Sequence, residues 1–136
     1  MYNMNTMDIS LPGTMATVGT NMSHSMATMH PTNLINIIQH CATTCDHMIT
    51  HLTNHEEMNN RRLQLQLLRD CADICHVTAS FIARNSHLNK MMAQICAQIC
   101  EACGNECSKF NDRHSQHCAQ VCYHCAQECR SFARAA

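Results

Sequence analysis

The sequence contains no tryptophan, and Phe and Tyr together make up only 4% of its 136 residues. Charged residues are also scarce at 14%, and nine Lys and Arg nearly balance ten Asp and Glu. This composition fits neither an aromatic-rich core nor a highly charged disordered chain, and its length indicates one small domain. Because no basic block is available to neutralise a row of phosphates, we expect no nucleic-acid partner.

Long apolar runs are missing as well. No stretch approaches the roughly 18 apolar residues that span a bilayer. The N-terminus has neither the basic region nor the apolar stretch of a secretory signal. We therefore expect no membrane association and a cytoplasmic location, although these observations leave export open.

Helix-breaking residues almost disappear after Pro31, beyond which Gly104 is the only glycine and proline does not occur. Long helices are therefore permitted. Capping signals divide this stretch into four, at Thr32, at Asn54 with Glu57, at Ser86 and at Asp112. They predict helices at about 32–52, 55–84, 87–110 and 113–133. The short connections predict an all-α, antiparallel four-helix bundle over residues 32–136.

Residues 1–31 differ from the rest of the chain. They hold both prolines and seven of the eleven methionines, and they show no apolar periodicity. Such a segment buries too little apolar surface to offset the entropy lost on ordering. It is therefore predicted to be a flexible tail rich in Met and His.

All twelve cysteines fall into Cys-x-x-x-Cys pairs. The six pairs are Cys41/Cys45, Cys71/Cys75, Cys96/Cys100, Cys103/Cys107, Cys118/Cys122 and Cys125/Cys129. In the third and fourth predicted helices two pairs join in the spacing 4, 3, 4, which places four thiols within an arc of about 60°. The same register runs through the first two helices. Four helices therefore point thiols at a common axis and give the bundle a Cys-lined core.

Several chemistries use buried or clustered cysteines. Twelve inert core cysteines would bury little apolar area and would therefore make a weak hydrophobic core. Disulfide scaffolds are rich in loops, whereas these thiols lie within helices. Zinc knuckles and iron–sulfur motifs use two-residue gaps on turns or loops. Soft thiolates in rows on facing helices favour Cu(I) among the available ions, and shared sulfurs allow many ions to line one channel.

Three cysteine runs resemble the bacterial copper storage proteins. They are CADIC (71–75), CAQICEACGNEC (96–107) and CAQVCYHCAQEC (118–129), and the resemblance covers roughly residues 34–133. It rests on the order and register of all six pairs. The resemblance implies a four-helix bundle that stores many Cu(I) ions per chain on core thiolates. It also implies a preformed apo fold and a homotetramer.

The predicted metal ligands are the twelve cysteines, Met48 and three histidines. Met48 stands where the register of the first helix calls for a further thiol, so its thioether is a candidate ligand. His55, His114 and His117 lie where the helix ends meet at one end of the bundle. There we predict a mouth through which copper enters, whereas the opposite end is predicted to be an apolar plug. The Met-rich tail is a candidate for weak Cu(I) capture.

No catalytic constellation accompanies these ligands. The sequence has no Ser/His/Asp order, no paired carboxylates and no phosphate-binding glycine loop, so we expect a protein that is not an enzyme. Its expected partners are copper ions and a copper donor or acceptor. A zinc or iron–sulfur binding protein and a thiol redox protein remain the alternatives.

Overall fold

The structure, a computed structural model, describes residues 31–54 and 59–135. Four helices form there: α1 Thr32–Thr53, α2 Arg62–Ala83, α3 Asn89–Cys107 and α4 Arg113–Arg134. This architecture confirms the predicted all-α four-helix bundle. None of these helices combines the length and apolar character needed to cross a membrane. His55 and residues 1–30 of the predicted tail lie outside the described residues.

The core follows the register of the cysteine pairs along each helix. Every predicted position of that register in α1 and α2 is buried: Leu34, Ile38, Cys41, Cys45, Met48 and Leu52 in α1, and Gln64, Leu68, Cys71, Cys75, Thr78 and Ile82 in α2. Leu34, Ile38 and Ile82 pack toward one end of the bundle, Leu52 lies toward the other, and thiols occupy the middle. The predicted Cys-lined core is confirmed.

Two polar contacts show how successive helices run. Gln64 near the start of α2 contacts Cys107 at the end of α3, whereas Cys75 farther along α2 contacts Cys96 near the start of α3. These two helices are therefore antiparallel. The start of α2, the end of α3 and the start of α4 meet at one end of the core, which we call the polar end.

Gly104 lies where α3 and α4 pack closely. A Cβ atom at this position would come within 2.8 Å of Cε1 of Tyr123 on α4. The Tyr123 hydroxyl donates a hydrogen bond to Oδ1 of Asn105 at 2.7 Å, which holds the ring against α3. Glycine therefore interrupts a run of good helix formers because an aromatic ring packs on its backbone.

The helix ends depend on local hydrogen bonds. Asp112 caps α4 by accepting a hydrogen bond from the Ser115 backbone N–H at 2.9 Å. Asn85, with φ of 52°, ends α2 in a left-handed conformation that Asn tolerates. A 3-10 turn, Asn59–Arg61, precedes α2, which begins at Arg62 rather than near residue 55. Likewise α3 begins at Asn89, two residues after the predicted start.

Candidate metal centre

The twelve cysteines form the centre of the bundle. Each has a relative exposure of 0%, and each is free of disulfide bonding. The contacts between Sγ atoms measure 3.6 to 4.0 Å, about twice the roughly 2.05 Å of an S–S bond. No disulfide bond therefore joins these twelve thiols in this structure.

Seven of these Sγ atoms make a continuous run of contacts through the core. The successive distances are Cys45–Cys122 3.8 Å, Cys122–Cys41 4.0 Å, Cys41–Cys71 3.8 Å, Cys71–Cys100 3.6 Å, Cys100–Cys75 3.6 Å and Cys75–Cys96 3.7 Å. All four helices contribute to the run. Because the helices alternate along it, ligands that are distant in sequence become neighbours.

Three groups of four thiols within this region have the compactness of metal sites. In each group all Sγ atoms lie within 4.8 Å of one another: Cys41, Cys71, Cys75, Cys100; Cys41, Cys45, Cys71, Cys122; and Cys75, Cys96, Cys100, Cys125. The groups overlap, since four of the cysteines belong to two groups each. An ion bound in one group therefore has sulfur atoms in common with its neighbour.

The close packing of thiols changes their acidity. Interaction with Cys125, together with burial, raises the pKa of the Cys100 thiol. Interaction with Cys103, together with burial, likewise raises the pKa of Cys122. Hydrogen bonds from Cys100 and Cys122 stabilise the Cys41 thiolate and lower its pKa. The thiols with a raised pKa, such as Cys100 and Cys122, therefore keep their protons in the metal-free core, and a bound metal ion must displace them.

A cluster of polar side chains closes the polar end of the thiol core. This polar cap consists of Arg61, Gln64, Asp112 and Ser115. The Gln64 amide nitrogen donates to Ser115 Oγ at 2.9 Å and to Cys107 Sγ at 3.4 Å. The Arg61 guanidinium donates to Gln64 Oε1 at 2.9 Å and to Ser115 Oγ at 3.1 Å, and it pairs with Asp112 at 3.0 Å. Gln64 and Ser115 have no exposed surface.

None of the four polar-cap residues was predicted from the sequence as a metal ligand, and Asp112 was predicted only as a helix cap. A signal for Ser115 was present, since it lies three residues before Cys118 and continues the 4, 3, 4 spacing. Arg61 had no comparable signal. It reaches Ser115 because the 3-10 turn places it at the entrance to α2.

The structure places the predicted non-cysteine ligands in different surroundings. Met48 is buried in the core, with 2% exposure, one helical turn after Cys45. His114 and His117, in contrast, are exposed on α4. The His114 ring stacks on His51 with 4.1 Å between centroids, outside the thiol groups. The polar cap, rather than these two imidazoles, lies next to Cys107.

Comparison with known proteins agrees with this geometry. The sequence profile of the copper storage protein family matches residues 27–134. The chain belongs to this family. The resemblance seen in the cysteine runs is thereby confirmed, and the family accounts for a four-helix bundle with cysteines clustered in its core.

Solved structures similar to this copper storage family member include two forms of one Bacillus subtilis protein. The Cu(I)-bound copper storage protein BsCsp3 is 36% identical, with a TM-score of 0.72 over 74% of this chain and 95% of its own. Its apo form is 35% identical, with the same TM-score of 0.72, over 76% and 99%. The Nmul_A1745 protein from Nitrosospira multiformis is 30% identical, with a TM-score of 0.68, over 74% and 91%.

Proposed function

We propose that the protein stores copper by holding several Cu(I) ions per chain on the thiolates of its core. The observation that carries this proposal is the overlap of the three four-thiol groups. Structural zinc sites are almost always closed tetrahedra of four ligands, whereas the four-thiol groups here overlap. Cu(I) prefers soft thiolates and accepts bridging sulfur atoms, which suits a continuous run of thiols.

The ligands in this proposal are the twelve cysteines, with the buried Met48 thioether as an additional soft donor. The similar Bacillus subtilis structure described as Cu(I)-bound supports the choice of metal. We further propose that the protein acts without catalysis, as a homotetramer, and exchanges copper with a donor or acceptor. The family resemblance implies this assembly.

Anaerobic titration of the reduced, metal-free protein with Cu(I), against a competing chelator, tests the proposal. We expect saturation at a copper count close to or above the twelve thiols of the chain. A thiol redox protein would instead cycle between dithiol and disulfide. Saturation at only two to four ions, or visible absorption from an iron–sulfur cluster, would favour the rival metal sites and refute storage.

Copper binding is expected to weaken in acid. The pKa of several core thiols, including Cys100 and Cys122, lies above its ordinary value, so these groups are protonated in the metal-free protein at neutral pH. Each Cu–S bond formed with such a thiol releases a proton. The apparent affinity should rise roughly tenfold per pH unit for each proton released per ion. Chelator competition at pH 6, 7 and 8 measures this slope, and a slope of zero would contradict the assigned protonation.

A further inference from the structure

Six of the eleven histidines lie on helices α1 and α4, and they comprise every histidine of these two helices: His40, His47, His51, His114, His117 and His124. At about 100° per residue, the three on α1 fall within about 40° of one another. Contacts and a common groove bring them beside those of α4. This histidine flank lies outside the thiol core, so copper storage on thiolates leaves it unexplained.

The tightest group on the histidine flank is His47, His51 and His114. His47 and His51 are separated by four residues, the spacing at which two helical histidines face the same metal ion in many zinc sites. His114 approaches both from the opposite helix, with ring centroids 4.1 Å from His51 and 6.4 Å from His47. Imidazoles bound to one tetrahedral ion at 2.0–2.1 Å have centroids about 5 Å apart. The observed separations lie on either side of this value.

The remaining histidines of the flank line an open groove between the same two helices. His40, His117 and His124 border this groove of about 400 Å³ together with Asn36 and Gln120. These three imidazoles are exposed, as are His47 and His114. Ions in solution therefore reach the flank without passing through the bundle, unlike the buried thiols.

We propose that His47, His51 and His114 bind one borderline divalent metal ion, of the zinc, nickel or copper(II) kind, on the outside of the bundle. Neutral imidazole suits these ions, whereas the thiolates of the core select soft Cu(I). In the structure the ring nitrogens of these three histidines are not all within 4.8 Å of one another, so metal binding requires the His51 and His114 rings to rotate about their side-chain torsions. The chain thus carries two metal sites that differ in ligand type and in access.

Titration with Ni(II) chloride tests the site, using protein whose core thiols have first been saturated with Cu(I) under anaerobic conditions. Ni(II) is paramagnetic, so it broadens NMR signals of nearby protons. We expect substoichiometric Ni(II) to broaden the ring-proton signals of His47, His51 and His114 first. The substitution His114→Gln should weaken Ni(II) binding at least tenfold, because it removes one of three ligands.

His87→Gln is the matched control, since His87 is exposed in the connection between α2 and α3. It should leave Ni(II) affinity unchanged. Unchanged affinity in His114→Gln, or broadening confined to residues around the thiols, would overturn the proposed site. The copper count of the same samples reports on storage separately. A failed histidine site is therefore distinguishable from a failed copper store.

Discussion

The double substitution of Cys75 and Cys100 by serine is expected to lower the copper count at saturation by more than the two of twelve thiols that it removes. Both thiols belong to two of the three four-thiol groups. They lie 3.6 Å apart and link Cys71 to Cys96 in the run of sulfur atoms. Their loss leaves only one group complete and divides the run.

The matched control is the double substitution of Cys107 and Cys129 by serine. These two thiols are also fully buried, but neither belongs to the three groups. Both double variants remove two thiols. If the number of Cu(I) ions bound at saturation depended on the number of thiols alone, it would fall equally in both variants. We expect the central pair to cost more ions than the control pair. Equal losses, measured by anaerobic Cu(I) titration, would show that the overlap of groups does not govern capacity.

Folding of both variants is verified before copper is counted. Serine is close to cysteine in shape, and its hydroxyl can hydrogen-bond to neighbouring thiols. The helices also retain their apolar residues at one end of the core, including Leu34, Ile38 and Ile82. The far-UV circular dichroism of each metal-free variant should therefore remain helical. A reduced copper count in a helical variant then reports on ligands rather than on unfolding.

The fold was predictable because one periodic signal specifies both the helices and their buried face. The 4, 3, 4 spacing of cysteines is a helical period, and the scarcity of helix breakers after Pro31 lets it continue. Positions that extend this register with other residues, such as Gln64 and Thr78, are buried as fully as the cysteines. Register alone therefore identified the core, even where the residue type was polar.

The details of the site were harder to predict because they depend on helix ends and on rotation about the helix axis. The contact between Arg61 and Ser115, which lie 54 positions apart, could not be predicted because the predicted start of α2 was several residues too early. His114 was expected at a copper mouth because it lies where helix ends meet at one end of the bundle. In the structure its ring stacks on His51, and the buried Ser115 side chain next to it in sequence contacts Gln64 of the polar cap.

The substitution Arg61→Ala is expected to destabilise the metal-free bundle by about 2 kcal/mol. It removes the donor to the Gln64 side-chain oxygen, an acceptor in a fully buried side chain. An unsatisfied buried acceptor costs about 1–3 kcal/mol. It also removes the ion pair with Asp112 and the guanidinium that lies 4.0 Å above the Phe110 ring. A cost of this size corresponds to a fall of roughly 10 °C in Tm for a bundle of about a hundred residues.

Arg62→Ala provides the control, because Arg62 is the adjacent arginine and its side chain is exposed. Thermal unfolding followed by circular dichroism should place the Tm of this variant close to that of the original protein. Since the Arg61 guanidinium covers the polar end next to Cys107, Arg61→Ala should also take up Cu(I) faster, with an unchanged final count. Equal Tm values for the two arginine variants would refute a structural role for the polar cap.

The pH dependence of this destabilisation separates the ion pair from the packing of Arg61. Burial tends to raise the pKa of Asp112, but the Ser115 backbone N–H and the Arg61 guanidinium outweigh it and lower that pKa. Because the unfolded carboxyl binds its proton more readily, this contribution to stability is present above about pH 4 and is lost as the pH falls through the lowered value. The difference in unfolding free energy between the original protein and Arg61→Ala should therefore shrink below about pH 4. A difference that stayed constant in acid would mean that Arg61 stabilises the bundle through Gln64 and Phe110 without the carboxylate.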